Sequence, residues 1–391
     1  MNNKYKIKTY DKVAAAGVKV FPQDKYTLDD NAKSPDGILV HSTPLHELEF
    51  NKELKSIVRI GAGVNTIPVD RCTKAGIAVF NCPGGNANAV KELAIGALIM
   101  AMRNGVLAMN WVKSLPKGEE DAGKTVEKGK EVYRGPELLG KQIGIIGVGA
   151  IGSRMAKTCH DLGLKVMGYD PLLSHSREQE LRQYCEFVDN LDTLLESSDI
   201  VTVHIPLNEQ NRGFIGKEQI EKMKDGVYLV NYARGPILDN EAVSDAIDSG
   251  KIRAFATDFP TPRQMQQDKV VFTPHLGAGT PEADENCSVM AARQTIDYIE
   301  NGNITNSVNL PDVSFARADG ARVCVIHENK VGMLGQMTDK VTGLKLNIEN
   351  LVNKARGEIA YTILDFNTEV PAELAKAIEA IDGVIRVRVI D

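Results

Sequence analysis

Two side chains stand where they could do chemistry. In Val227-Tyr228-Leu229-Val230-Asn231-Tyr232-Ala233-Arg234-Gly235 an apolar strand runs out into Asn231 and Arg234. A guanidinium there suits a carboxylate, because its planar fork donates two parallel hydrogen bonds. In Val270-Val271-Phe272-Thr273-Pro274-His275-Leu276-Gly277 an imidazole follows a second apolar strand. Histidine exchanges protons near neutral pH. Taken singly, each has a structural alternative: Arg234 capping a helix or pairing at the surface, His275 hydrogen-bonded within the fold. Taken together they gain weight, because open α/β sheets bind ligands beyond the carboxyl ends of their strands.

The elements that must position them centre on Lys141-Gln142-Ile143-Gly144-Ile145-Ile146-Gly147-Val148-Gly149-Ala150-Ile151-Gly152. This is an apolar strand turning on glycines into a helix. Gly147, Gly149 and Gly152 make the G-x-G-x-x-G spacing, which allows a tight turn, close approach to a pyrophosphate, and packing of helix on strand. A helix from Arg154 to Gly163 and a strand from Leu164 to Tyr169 complete the context, and Asp170 stands where a carboxylate would meet an adenosine ribose. The pattern predicts dinucleotide binding. Removing a hydride from a secondary alcohol also requires a group to take the hydroxyl proton, and His275 suits that role.

Strand and helix patterns alternate from Gly140 to about Pro274, with strands at Ile143–Gly147, Lys165–Tyr169, Ile200–Ile205, Val227–Asn231 and Val270–Thr273. Residues 1–104 repeat the alternation, with strands at Gly37–Val40, Ser56–Ile60 and Ile77–Asn81 and an apolar helix from Asn88 to Arg103. Residues 111–135 read as a surface excursion or subunit arm. A helix from Pro281 to Glu300 suits a return crossing. The predicted class is α/β, with two doubly wound parallel-sheet domains and a small C-terminal βαββαβ unit. A discontinuous substrate-binding domain takes 1–104 and 276–301, a Rossmann domain 105–275, a linker 302–320, and the βαββαβ domain 321–391.

With 43% hydrophobic and 25% charged residues the chain suits a globular protein with a core. A net charge of −6 argues against nucleic acid as a partner. The start lacks the apolar core of a leader, and the run Leu93–Met102 is too short to span a bilayer. Six scattered cysteines without C-x-x-C fit free thiols in the cytoplasm and no metal site. The apolar helix, the excursion and the tail's sheet edges predict a homo-oligomer.

The Gly147 run, Asn231–Gly235 and Thr273–Ala278, in this order, resemble the D-2-hydroxyacid dehydrogenase family. Within it, the chain is similar to the short-form phosphoglycerate dehydrogenases with a C-terminal ACT domain. The likeness covers nearly the whole chain. It implies NAD-dependent oxidation of 3-phosphoglycerate, or a similar small 2-hydroxy acid, at the start of serine synthesis. Hydroxypyruvate or glyoxylate reduction, and a non-enzymatic NAD-sensing role, are the rival readings. It implies Arg234 and His275 as catalytic residues, with Arg234 on the substrate carboxylate and carbonyl and His275 as acid/base. Implied cofactor contacts are Gly147, Gly149, Ala150, Ile151, Gly152, Asp170, His204, Pro206, Ala233, Arg234, Asp258, His275 and Gly277, with Asp258 on the nicotinamide carboxamide. Implied substrate contacts are Arg59, Ala62, Gly63, Asn86 and Arg234, with Lys91 as an additional cation. In the tail, His327, Asn329 and Asn347 would bind L-serine as an effector across a domain pair.

Two departures stand out. The family's D-V-F-x-x-E-P carries a Glu that orients the histidine, whereas this chain has Thr257-Asp258-Phe259-Pro260-Thr261-Pro262. Glu282, Glu285 or Asp268 could substitute, and the sequence does not choose among them. His41 stands where relatives often carry Arg for the phosphate, and Lys91 is the cation that could compensate.

Overall fold

The computed structural model describes residues 4–116 and 122–391. Residues 117–121, within the excursion expected over 111–135, lie outside the described residues. The chain divides into two compact units, Met1–Asn86 with Pro281–Asp391, and Ala87–Thr280.

The second unit is built on a seven-stranded sheet in the order Val270–Phe272, Ile252–Thr257, Val227–Asn231, Ile200–Val203, Gln142–Ile146, Lys165–Tyr169, Glu186–Phe187. Every neighbouring pair is parallel. Order reverses beside Gln142–Ile146, so a switch point opens at the end of the glycine turn. Strands such as Ile200–Val203 and Val227–Asn231 are buried along their whole length and mostly apolar, because helices cover both faces. Ile252–Thr257 is a strand not anticipated above. Its alanines and Arg253 give it weak strand propensity, and burial between two neighbours overrides that.

The helix Ala87–Met102 belongs to this unit, although the expected boundary lay after residue 104. Val90, Ala94, Ala97, Leu98, Ala101 and Met102 share a core with Ile143, Ile145, Met155 and Ala156. That apolar face is what moves the boundary.

The first unit holds a five-stranded parallel sheet in the order Tyr26–Leu28, Tyr5–Thr9, Gly37–Val40, Ser56–Arg59, Ala78–Phe80, and a four-stranded antiparallel sheet in the order Ile348–Arg356, Ile359–Phe366, Arg322–Glu328, Val384–Ile390. The second sheet, with helices Met333–Gly343 and Ala372–Glu379, has the expected βαββαβ order. It is not self-contained. One face packs on its helices through Val323, Val325, Met337, Leu364 and Ile378. The other contributes Cys324, Ile326, Tyr361, Ile363 and Ile390 to the core of Ile7, Leu39, Phe80 and Tyr298.

The expected linker is likewise part of this body. Ile304, Leu310 and Val313 are buried. Ser307 and Asn309 hydrogen-bond the strand Ala78–Phe80, through Val79 O (3.0 Å) and Val79 N–H (2.8 Å). Its polar residues satisfy backbone groups rather than solvate a tether.

Candidate functional site

In the second unit the strand Gln142–Ile146 ends at Gly147, whose φ of +86° lies in the left-handed region. A Cβ on Gly152 would stand 2.0 Å from Gly147 O, so helix and turn touch backbone to backbone. Gly149 has nothing within 4 Å of a built Cβ and faces open space. It precedes the helix Ala150–Asp161 without a side-chain cap, leaving first-turn N–H groups for an anion. Ala150 and Ile151 lie in that turn. Asp170 ends the next strand and accepts N–H bonds from Val148 (2.8 Å) and Leu172 (3.1 Å). Its carboxylate is thereby fixed beside the glycine turn.

His204 follows Ile200–Val203, and its backbone abuts Gly147. Burial pushes its imidazole down to about 4, so it is neutral at physiological pH. Nε2 sits 2.9 Å from Thr202 Oγ1, and Nδ1 has no partner among the described residues. Pro206 O accepts from Asn211 Nδ2.

Arg234 leaves the strand Val227–Asn231 through a turn braced by the fully buried Asn231. Asn231 Nδ2 donates to Arg234 O (2.9 Å), and its Oδ1 accepts from Ala233 N–H (3.0 Å). One arm of Arg234 donates to Ala233 O at 2.6 Å, and the side chain is half-buried.

His275 is exposed and has a left-handed φ of +46°. Its N–H donates to Asp258 O (3.0 Å) and Thr273 O (3.1 Å). Asp258 closes the strand Ile252–Thr257 and is 3% exposed. Its Oδ2 accepts from Gly277 N–H (3.0 Å), whereas Oδ1 has no partner among the described residues. Burial pushes the Asp258 carboxyl up. The Gly277 N–H, His275 and Arg234 pull against that rise. His275 is thus tied to Asp258 through the backbone, and the Arg234 turn reaches the same connection, where a Cβ on Gly235 would stand 3.1 Å from Phe259 Cβ. The residues fit a dinucleotide: an open glycine cradle, a fixed carboxylate for ribose, and an orphaned oxygen able to accept from an amide.

Asp268 cannot back His275. It precedes the strand Val270–Phe272 and His275 follows it, so they stand at opposite ends. Lys91 lies in this second unit on Ala87–Met102, with its ammonium 3.6 Å from Glu92.

In the first unit Arg59 ends the strand Ser56–Arg59 and folds over Gly61, donating to Ile60 O. The loop Gly61–Gly63 is pinned by Cys82 N–H on Gly61 O (2.8 Å) and Asn81 Nδ2 on Ala62 O (2.7 Å). Asn86 follows Asn81 and Cys82 on the connection after the strand Ala78–Phe80. His41 is half-buried, with Nε2 3.9 Å from Asp284. Sequence reasoning missed Asp11, whose carboxylate accepts the N–H groups of His41 (2.8 Å), Ser42 (2.8 Å) and Thr43 (3.1 Å). Burial would raise its carboxyl, but the hydrogen bonds from Ser42, Thr43 and His41 hold it below the ordinary value. Only its left-handed φ of +141° brings it there, and nothing in the local sequence announces that.

The proposed effector residues do not gather in one copy. His327 is 2% exposed, with Nδ1 at 2.8 Å from Glu328 O and Nε2 at 2.8 Å from Thr362 Oγ1. Both ring nitrogens are thus hydrogen-bonded inside the fold of one copy. Asn329 follows the strand Arg322–Glu328 and bonds Gly357 O, whereas Asn347 precedes Ile348–Arg356. Those two strands run the same way on either side of Ile359–Phe366, so the two amides lie at opposite ends of the sheet.

A family model described as D-isomer specific 2-hydroxyacid dehydrogenase, NAD binding domain, matches residues 97–277. The D-3-phosphoglycerate dehydrogenase of Haemophilus influenzae is 31% identical over 342 residues, covering 84% of this chain and 79% of that protein. The protein of the same name from Archaeoglobus fulgidus is 39% identical over 276 residues, covering 68% of this chain but only 49% of its relative. The chain thus spans about half the length of the archaeal relative. Among solved structures, the NAD+-bound 3-phosphoglycerate dehydrogenase of Entamoeba histolytica matches with TM-score 0.62 at 26% identity, over 78% of this chain and 99% of that one. A glyoxylate reductase from Paecilomyces thermophila matches with TM-score 0.66 at 25% identity, over 79% and 99%. The glycine-turn unit is an NAD-binding domain, and the chain belongs to the D-isomer specific 2-hydroxyacid dehydrogenases.

Proposed function

We propose that this protein oxidises 3-phosphoglycerate to 3-phosphohydroxypyruvate with NAD, the first step of serine synthesis. The observation that carries the chemistry is that the His275 N–H bonds Asp258 O, the Arg234 turn packs on the next residue, Phe259, and Asp258 Oδ1 lacks a partner among the described residues, all in the unit that holds the glycine turn. Gly147, Gly149 and the first turn of Ala150–Asp161 would hold the pyrophosphate. Asp170 would hold the ribose and repel a 2′-phosphate, and Asp258 Oδ1 would accept from the carboxamide. Bound NAD supplies the hydride acceptor. His275 takes the hydroxyl proton. Arg234 grips the carboxylate and polarises the oxygen that becomes the carbonyl, so negative charge developing there is met by a fixed cation. Arg59 and the pinned loop Gly61–Gly63 supply a cation and backbone N–H groups for the acid end of the substrate, and Asn86 stands on the neighbouring connection.

A second reading has its own observation. Asp11 occupies the amides after Gly37–Val40 and Asp284 faces His41, which makes that end a poor phosphate site and favours an unphosphorylated 2-hydroxy acid. A cofactor-linked assay decides between them. Turnover with 3-phosphoglycerate well above glycerate supports the first reading, and the reverse order supports the second. In either case His275→Asn abolishes turnover.

The effector reading rests on Asn329 and Asn347 from two copies. Calorimetric titration with L-serine showing no heat at millimolar concentration removes it. Self-association through the exposed Met109, Val112 and Val132 goes with it, and light scattering measures that. No single helix among the described residues is long and apolar enough to cross a membrane. Six free cysteines suit the reducing cytoplasm, where we place the reaction.

A further inference from the structure

A general base needs its ring aimed, and a hydrogen-bonded carboxylate is one way to aim it. Within its own unit the His275 ring makes no hydrogen bond or ion pair among the described residues. Asp258 gives it no hydrogen bond, since Oδ2 accepts from Gly277 and Oδ1 has no partner among the described residues. The two N–H contacts of His275 fix where its side chain begins, not where it points.

What meets the imidazole is Phe259. The ring centroids are 4.6 Å apart, with planes at 49°. Phe259 is itself well placed. Its N–H donates to Thr257 Oγ1 at 3.0 Å, and Pro260 follows. At its base it abuts the Arg234 turn, where a Cβ on Gly235 would stand 3.1 Å from Phe259 Cβ. The ring is half-buried and belongs to neither apolar core of this unit, so core packing does not account for its position.

We infer that Phe259 is a positioning residue for the reaction: held at its base against the Arg234 turn and with its ring on His275, it aims the imidazole by packing rather than by a hydrogen-bonded carboxylate. The inference rests on the reading of His275 as acid/base. A misplacement of about 1 Å at a reacting group costs on the order of a hundredfold in rate. Phe259→Ala should therefore lower kcat by about ten- to a hundredfold, with the KM for NAD within about twofold of the parent. Phe259→Tyr, which keeps the ring, should restore kcat to within about threefold, and Phe259→Leu should fall between.

A purely structural role would instead lower the melting temperature and leave kcat per folded molecule intact. Proton NMR of the histidine rings gives a second readout, with the His275 signal assigned by its loss in His275→Asn. It should carry a ring-current shift that disappears in Phe259→Ala and persists in Phe259→Tyr. Unchanged kcat and an unmoved His275 resonance in Phe259→Ala overturn the proposal. Turnover surviving in His275→Asn overturns the acid/base reading instead, whatever Phe259 does.

Discussion

Asp258→Asn should make the cofactor-free protein more stable and its grip on NAD weaker. Asp258 is 3% exposed, and only one of its oxygens is hydrogen-bonded, to Gly277 N–H at 3.0 Å. An unpaired buried polar group costs about 1–3 kcal/mol, and more when it is charged. Asparagine keeps the acceptor for Gly277 and exchanges a charged orphan for a neutral one. Part of that gain is offset by losing the attraction of Arg234 and His275. A net of about 1 kcal/mol would raise the melting temperature by about 2–4 °C in a unit of this size. Burial raises the Asp258 carboxyl, so its protonated form favours the fold. That contribution is whole below the ordinary value of 3.8 and is lost as pH rises through the raised value. The variant's advantage should therefore be absent in acid, open across that window and stay constant above it. Cofactor binding should move the other way. Replacing a carboxylate acceptor by an N–H donor removes a charge-assisted bond worth about 1.5–3 kcal/mol, a loss of about 10- to 150-fold in affinity. Scanning fluorimetry at several pH values and titration of NAD measure both. A lower melting temperature at neutral pH, or an NAD affinity within about twofold of the parent, refutes the reasoning.

Three further outcomes are expected. Arg234→Lys should raise the KM of the hydroxy acid by about tenfold or more while leaving NAD affinity alone, because an ammonium cannot form the two-armed contact; steady-state kinetics checks it. Gly152→Ala places a methyl 2.0 Å from Gly147 O, so helix and turn must separate. NAD affinity should fall with a stability loss of about 1–3 kcal/mol, read by titration and thermal melting. Asp365→Ala strands Arg322, which is fully buried and bonded to both Asp365 oxygens at 2.6 and 2.8 Å. Breaking such a pair costs about 3–5 kcal/mol, and the melting temperature should drop by about 10 °C.

Much of the fold is legible in the sequence because its signals are local. Glycines at 147, 149 and 152 state a turn, continuous apolar runs state buried parallel strands, and the tail's alternation states βαββαβ. Boundaries between units were less legible, since they depend on which apolar face meets which. Ala87–Met102 is apolar on most sides, and only its packing with Met155 and Ile143 assigns it to the NAD-binding unit. Ile252–Thr257 was missed because its alanines argue weakly for a strand, yet this strand carries Asp258 to where its backbone accepts the His275 N–H. Asp11 and Phe259 were invisible for a related reason. One depends on a left-handed residue, the other on a ring contact between stretches sixteen residues apart.

The polar stretch 302–320 was misread for a different cause, and that cause bears on how the tail could act. Polar residues signal a tether only when nothing buried needs them. Here the tail's arginines answer to backbone carbonyls of the body. Arg386 donates to Leu54 O and Gly76 O, Arg388 to Tyr298 O (3.0 Å) and Ile299 O (2.9 Å), and Arg356 to Ser307 O (2.6 Å). With one sheet face also built into the core of Phe80 and Tyr298, the tail has no free hinge. A signal from it must pass through packed contacts. One such contact is at Leu54 O, two residues before the strand Ser56–Arg59, whose far end carries the cation proposed to hold the substrate. A ligand on the tail would have to act through contacts of this kind rather than by swinging a tethered domain.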